Sequence, residues 1–280
     1  MSETGSSGAS SAVTGVRWAV LLGNTMCRVA LMDGVEVMDA LAFTHAELQS
    51  HATAERLRAF RDRNARYGMT VGGPAGGAGA HPSAGLCSVV PPREAEVMEL
   101  FDAAGLPVPH RIHPAISPVF PSRYRSMDTL GADRYCAVLA ARHRYGAPAI
   151  VVDCGTATTV NVLDGDGVFL GGAIAPGVET ALRALHTRTA QLPSLDLPAE
   201  PPLIGTDTAG CMQSGAVHGS RFAIAGMVDA LKKLTGDSTP VILTGGNAPL
   251  LLAAGLAVTP MRHDPHLCFR GIIFHLLFTA

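Results

Sequence analysis

Two stretches of the chain share one hydrophobic pattern. In each, an apolar run (18–22; 149–152) meets a glycine and a second run follows (27–32; 158–163). An Asp-Gly pair (Asp33, Gly34; Asp164, Gly165) then leads into a third. Short apolar runs punctuated this way predict strand, tight glycine turn, strand, hairpin turn, strand. The turn residues are Leu21, Leu22, Gly23, Asn24, Thr25 in the first copy and Asp153, Cys154, Gly155, Thr156, Ala157 in the second. Leu21 stands where the second copy has Asp153, so the copies differ where chemistry would reside.

Outside the hairpins the period becomes helical. Residues 44–66 carry Leu48, Ala52, Leu57 and Phe60 amid charge, which predicts an amphipathic helix with Thr44 as its N-cap. Residues 72–85, almost all Gly, Ala and Pro, predict a flexible surface loop. A short buried strand over 86–90, stopped by Pro91 and Pro92, precedes a helix over 94–104. Residues 131–145 predict a helix beginning near Asp133, with Tyr135, Val138, Leu139 and Ala141 on its apolar side. In the second half, Pro176 is placed to open a helix running to Leu192, because proline lacks only an N–H that would be unpaired in a first turn. After a Pro-rich connector (193–202), residues 208–234 predict a long helix. Its Gly215, Ala216, Gly219 and Ser220 permit close packing against another helix, including one from a second subunit. A strand over 241–243 feeds Thr244, Gly245, Gly246 and Asn247, and a final helix contains Ile272 and Leu277. Alternating strands and helices predict an α/β protein. The chain divides into a disordered N-terminus (1–15) and two domains, 16–132 and 133–280.

Composition narrows the function. At 280 residues and 48% hydrophobic content, the chain can bury two ordinary cores. A net charge of −2 with scattered Lys and Arg gives no footprint for nucleic acid or an anionic membrane, so neither is an expected partner. No run of about 18 uncharged apolar residues predicts a membrane span, and the Ser- and Gly-rich start lacks the apolar core of a signal peptide. The cysteines Cys27, Cys87, Cys136, Cys154, Cys211 and Cys268 are dispersed without a CxxC pair. They predict reduced, mostly buried thiols and a cytoplasmic location. His110 with His113 and His263 with His266 have ligand spacing but no supporting partners, and are expected to be solvated loop residues.

A glycine turn lets backbone approach a ligand while successive N–H groups and Thr or Asn side chains donate to phosphate oxygens. Two such turns, with the Gly-Gly that follows a strand at Thr244, point to phosphate binding. The GxxxxGK[ST] fingerprint is absent, which excludes a Walker-type site.

The blocks that carry most information are Gly23-Asn24-Thr25, Ser88-Val89-Val90-Pro91, Gly131-Ala132-Asp133-Arg134, Asp153-Cys154-Gly155-Thr156-Ala157-Thr158-Thr159, Gly171 to Gly177, and Thr244-Gly245-Gly246. On these blocks the chain, over nearly all of 16–280, resembles the type III pantothenate kinases of the actin, sugar-kinase and Hsp70 superfamily. The resemblance implies a duplicated ribonuclease H-like two-domain fold and transfer of phosphate from ATP to pantothenate, the first step of coenzyme A biosynthesis. It also implies Asp133 as general base and Tyr124, Gly131, Ala132, Asp133, Arg134 and Thr208 as the pantothenate site. Arg134 would pair with the substrate carboxylate while Asp133 faces its hydroxyl. Gly23, Asn24, Thr25, Arg28, Thr156, Thr244, Gly245 and Gly246 would contact the nucleotide. Asp153 would hold a monovalent cation, K⁺ or NH₄⁺, Mg²⁺ would accompany the ATP, and the protein would be a homodimer.

One departure stands out. The first phosphate turn of the resembled family carries an aspartate, which organises Mg²⁺, at the position of Leu21. An aliphatic side chain cannot replace it, and phosphoryl transfer depends on charge neutralisation. Three outcomes stay open on sequence: a weak kinase that recruits metal through Asp153 or water, a kinase with a rearranged site, or a non-catalytic nucleotide- or pantothenate-binding regulator; an altered pocket around Tyr124 would also permit a kinase for another small hydroxy acid.

Overall fold

The computed structural model describes residues 15–67, 83–116 and 118–279. The expected disordered N-terminus, save Gly15, and most of the expected Gly/Ala/Pro loop lie outside the described residues. The chain forms two compact units. One runs through Val119 and adds Ser126–Ala140 and Cys268–Ala280; the other comprises Phe120–Arg125 and Ala141–Leu267.

In the first unit, β1 (Val16–Leu22), β2 (Met26–Asp33) and β3 (Glu36–Thr44) form an antiparallel meander, and β4 (Ala84–Ser88) and β5 (His110–Arg111) run parallel beside β1. The period-2 alternation turns Trp18, Val20 and Leu22 to one face, where they meet Phe60 of α1 (His51–Arg63) and Phe101 of α2 (Glu94–Ala103). The Trp18 ring lies 5.7 Å from that of Phe60 and 6.2 Å from that of Phe101. Fully burying a side chain such as Phe60 or Phe101 contributes about 1.5–3 kcal/mol. On the opposite face Ala19 lies beside Gly85. A Cβ on Gly85 would come 2.7 Å from Ile272 of α7 (Leu267–Phe278), so this glycine lets the helix lie on the sheet. Gly271 of α7 likewise packs directly on the Cys136 backbone of α3 (Ala132–Tyr145).

The second unit repeats the plan. β6 (Ala149–Cys154), β7 (Ala157–Leu163) and β8 (Phe169–Pro176) form the meander, and β9 (Val241–Thr244) and β10 (Met261–His263) run parallel beyond β6. Ile150, Val152, Val160 and Leu243 pack against Leu182 of α4 (Val178–Arg188), Val217 and Val228 of α5 (Thr208–Thr235) and Leu251 of α6 (Ala248–Ala253). The strand orders β3-β2-β1-β4-β5 and β8-β7-β6-β9-β10 are the same connection order twice. This is the duplicated ribonuclease H-like fold of the actin, sugar-kinase and Hsp70 type. Among the described residues, no helix is long and apolar enough to cross a membrane.

Several element boundaries differ from expectation. Thr44 is not a helix cap: it ends β3 opposite Met26, and its N–H and hydroxyl both donate to Glu47 Oε2. The helix begins at His51, capped by Ser50, whose hydroxyl accepts from the Ala52 N–H. Pro176 does not open a helix either. It closes β8, an edge strand where its missing N–H is tolerated, and Gly177 is the cap. That helix ends at Arg188 because Thr189 is extended, and His186 Nδ1 meets the Leu192 carbonyl as the chain folds back. Strand β4 starts at Ala84, within the expected loop. Five of the six cysteines are buried, Cys211 being exposed.

Candidate active site

The first unit holds Gly23, Asn24, Thr25, Arg28, Gly131, Ala132, Asp133 and Arg134; the second holds Tyr124, Asp153, Thr156, Thr208, Thr244, Gly245 and Gly246.

The first glycine turn is braced from behind. The Gly23 N–H donates to the Met26 carbonyl at 3.0 Å, and the Val89 N–H to that of Leu22 at 3.0 Å. His45 Nε2 donates to the Gly23 carbonyl at 2.8 Å. These bonds leave Asn24 and Thr25 exposed at the ends of β1 and β2. His45 was not foreseen. It lies 22 residues from Gly23, and no periodicity marks it.

Asp133 sits in the first turn of α3. Its Oδ1 accepts from the Arg134 N–H at 2.7 Å. A Cβ on Gly131 would come within 2.5 Å of Asp133 Oδ1, so glycine at 131 makes room for the carboxylate to fold back over the helix start. Burial raises the Asp133 carboxyl above the ordinary carboxylate range, and the Arg134 N–H and charge, with Asp133's own N–H, pull against that rise. Arg134 is buried at 5% exposure and Ala132 at 5%. Cys268 Sγ donates to the Asp133 carbonyl at 3.7 Å.

In the second unit the glycine turn is gripped from two sides. Asn247 donates its N–H to the Cys154 carbonyl at 2.8 Å, and its side-chain amide donates to that of Gly155 at 3.4 Å. From the other side, Gly177 N–H and Thr180 Oγ1 donate to the Thr156 carbonyl at 3.0 and 2.6 Å. Gly245 has φ +95°, and a side chain there would strike Asp153 Oδ1 and the Cys154 backbone. The Thr244–Gly246 turn therefore packs on the Asp153–Gly155 turn, which brings the predicted residues Asp153, Thr244 and Gly245 together. Thr156 and Gly246 are exposed beside them. Tyr124 stacks on Phe169 with ring centroids 5.6 Å apart, and its ring edge lies against Gly171. Thr208, exposed, is the first residue of α5, where Asp207 Oδ1 accepts the Gly210 N–H at 2.7 Å.

A duplicated fold with a glycine turn at the end of the first strand of each sheet, and a half-buried carboxylate at a helix start, defines a two-domain phosphotransferase of the actin and sugar-kinase class. Sequence similarity narrows this class. The sequence model of type III pantothenate kinase matches residues 19–230. A type III pantothenate kinase of Frankia alni is 34% identical over 91% of this chain and 96% of its own length. That of Parafrankia sp. (strain EAN1pec) is 39% identical over 69% and 77%. The chain therefore belongs to the type III pantothenate kinase family. Among solved structures, a protein of Campylobacter jejuni described as a conserved Baf family transcriptional activator shares the fold, with TM-score 0.51 at 16% identity over 91% of this chain and 94% of that one.

Proposed function

We propose that this protein transfers the γ-phosphoryl group of ATP to the terminal hydroxyl of pantothenate, giving 4′-phosphopantothenate and ADP, the entry step of coenzyme A biosynthesis. The observation that carries the reading is Asp133 within the Gly131-Ala132-Asp133-Arg134 block of a chain that belongs to this family. A carboxyl held above its ordinary range takes up a proton more readily than an exposed aspartate. As the hydroxyl oxygen bonds to the γ-phosphorus, the bond from that phosphorus to the β–γ bridging oxygen breaks, the bridging oxygen leaves as part of ADP, and the hydroxyl proton passes to Asp133. Arg134, Gly131, Ala132, Tyr124 and Thr208 orient pantothenate, with Arg134 matched to its carboxylate. Gly23, Asn24, Thr25, Thr156, Thr244, Gly245 and Gly246 receive the nucleotide.

A monovalent cation fits Asp153. Its carboxylate lies against Gly245, where a Cβ would take the space, and carboxylate and turn carbonyl oxygens suit K⁺ or NH₄⁺. Bound there, the ion would offset phosphate charge. Mg²⁺ enters as the partner of ATP; the first turn offers it no carboxylate at Leu21.

The working form is a homodimer in the cytoplasm. Buried thiols support the reducing compartment. A cavity of about 320 Å³ between β8 and α5 supports the dimer: among the described residues, nothing lies within 4 Å of a Cβ placed on Gly215 or Gly219, two of the residues that line it. A second copy's helix is the occupant proposed for it.

The test is ADP release by purified protein with pantothenate, ATP, Mg²⁺ and K⁺, beside the same assay with other small hydroxy acids. Pantothenate-dependent release supports the reading. Release only with another acid, or ligand binding without release, contradicts it.

A further inference from the structure

We infer that Arg28 supplies, at the first glycine turn, the positive charge that a bound divalent cation would otherwise bring, so that this chain binds nucleoside triphosphate whether or not a divalent ion accompanies it. The inference rests on the kinase reading above.

The two hairpins provide an internal control. In the second, Asp153 lies directly across from Thr159, and Cys154 across from Thr158. In the first, Leu21 lies across from Arg28, and Leu22 across from Cys27. Leu22 and Cys27, like Cys154, enter the core clusters of their units, so Leu21 and Arg28 occupy the sheet face that corresponds to Asp153 and Thr159. Directly opposed residues hold their side chains about 4.5–5.5 Å apart on one face. A carboxylate beside a hydroxyl, which suits a cation, has been exchanged for an alkyl group beside a guanidinium, which suits an anion.

A divalent ion does not fit the first turn. Mg²⁺ requires hard oxygen ligands, above all carboxylates. Leu21 offers none, Cys27 and Cys87 are buried thiols, and the carboxylate within the hairpin, Asp33, is at its far end opposite Val16.

Arg28 is placed to act instead. It is exposed and has no hydrogen-bond or ion-pair partner among the described residues. Its neighbours in the unit are tied down: Arg56 to Glu47, Arg63 to Asp39, Arg93 to Glu96, Arg111 to Glu94, and Arg58 and Arg61 to the Ala103 and Ala104 carbonyls. Leu21 also lies beside Cys87 of β4, whose thiol meets Cys136, three residues along α3 from Asp133. Arg28 therefore stands on the sheet face that bears the helix of the proposed base, at the strand ends that carry Gly23, Asn24 and Thr25. A guanidinium there can grip two oxygens of a phosphate at once, and it needs no metal to do so.

The experiment is calorimetric titration of the full-length protein with ATP, without pantothenate, in EDTA and again with Mg²⁺. The wild type is expected to bind metal-free ATP within about tenfold of its Mg²⁺ affinity. Arg28→Ala is expected to lose at least about tenfold in EDTA, equal to about 1.4 kcal/mol, and Arg28→Lys to recover part of it. Leu21→Asp is expected to weaken binding in EDTA and to make binding depend on Mg²⁺. Thermal unfolding of the variants checks that they are folded. Absence of metal-free binding in the wild type, or an Arg28→Ala affinity equal to that of the wild type, overturns the inference even if pantothenate is phosphorylated. Arg28-dependent binding in a protein that does not phosphorylate pantothenate sustains it and removes the kinase reading instead.

Discussion

At the scale of single residues, the behaviour of Asp133 depends on two neighbours. Gly131 leaves the space into which its carboxylate folds, and the Arg134 N–H fixes one oxygen at 2.7 Å. The carboxyl is held high by burial although three nearby features favour its charged form, so desolvation is the dominant effect. Asp133→Asn keeps the shape and removes the base. It should lower kcat by about 10²–10⁴-fold with little change in KM for ATP. Protonation inactivates a base, so the wild-type rate falls as pH drops. Because the carboxyl is raised, the acid limb of kcat/KM should lie above the ordinary aspartate value of about 3.9. An acid limb at or below that value, or an Asn variant as fast as the wild type, would count against the assignment.

At the scale of elements, the glycines that matter are those where two turns meet. Gly245 is held at φ +95° against Asp153 and the Cys154 backbone. Gly245→Ala combines left-handed strain with a backbone clash, and should cost about 1–3 kcal/mol or more. A lower Tm and a raised KM for ATP are the expected readings; an unchanged KM would mean that the Thr244–Gly246 turn is remote from the nucleotide. The hairpins were legible because Leu21 to Thr25 and Asp153 to Ala157 repeat a short-range pattern of apolar run, glycine and hydroxyl. The helix over 208–234 and the block at Gly131 were legible for the same local reason. Signals from distant partners were not. Thr44 looks like a cap until β3 is seen to pair it with Met26, and Pro176 looks like a first-turn proline until β8 is seen to be an edge. Strands β5 and β10, of two and three residues, and the six-residue α6 are too short to show a period. His45 behind the Gly23 turn and Asn247 behind the Gly155 turn are fixed by tertiary contact alone.

At the scale of the whole molecule, one buried histidine contributes to how stability responds to acid. His275, 2% exposed, hydrogen-bonds to the Tyr135 hydroxyl at 3.1 Å. Burial, with a smaller effect from His110, lowers its pKa from 6.5 to about 4. The unfolded chain therefore takes up a proton between those values while the folded chain does not, so stability falls as pH drops through that window and the loss is complete below pH 4. The full effect is on the order of 3 kcal/mol. Urea unfolding from pH 7 to pH 4 should be flatter for His275→Gln than for the wild type by about that amount; parallel curves would contradict it. The proposed dimer is tested on α5. Among the described residues nothing lies within 4 Å of a Cβ placed on Gly219, so Gly219→Leu should leave the subunit folded and shift sedimentation from dimer to monomer. A wild type that is monomeric, or a variant that stays dimeric, would argue against a shared α5 face.

Phosphorylation of pantothenate through Asp133 can be read directly. Its most direct test is mass-spectrometric detection of phosphorylated pantothenate after incubation with ATP, Mg²⁺ and K⁺, comparing wild type with Asp133→Ala. Product is expected from the wild type and none above background from the variant. No product from a folded wild-type protein that binds ATP, or equal product from both, would contradict it.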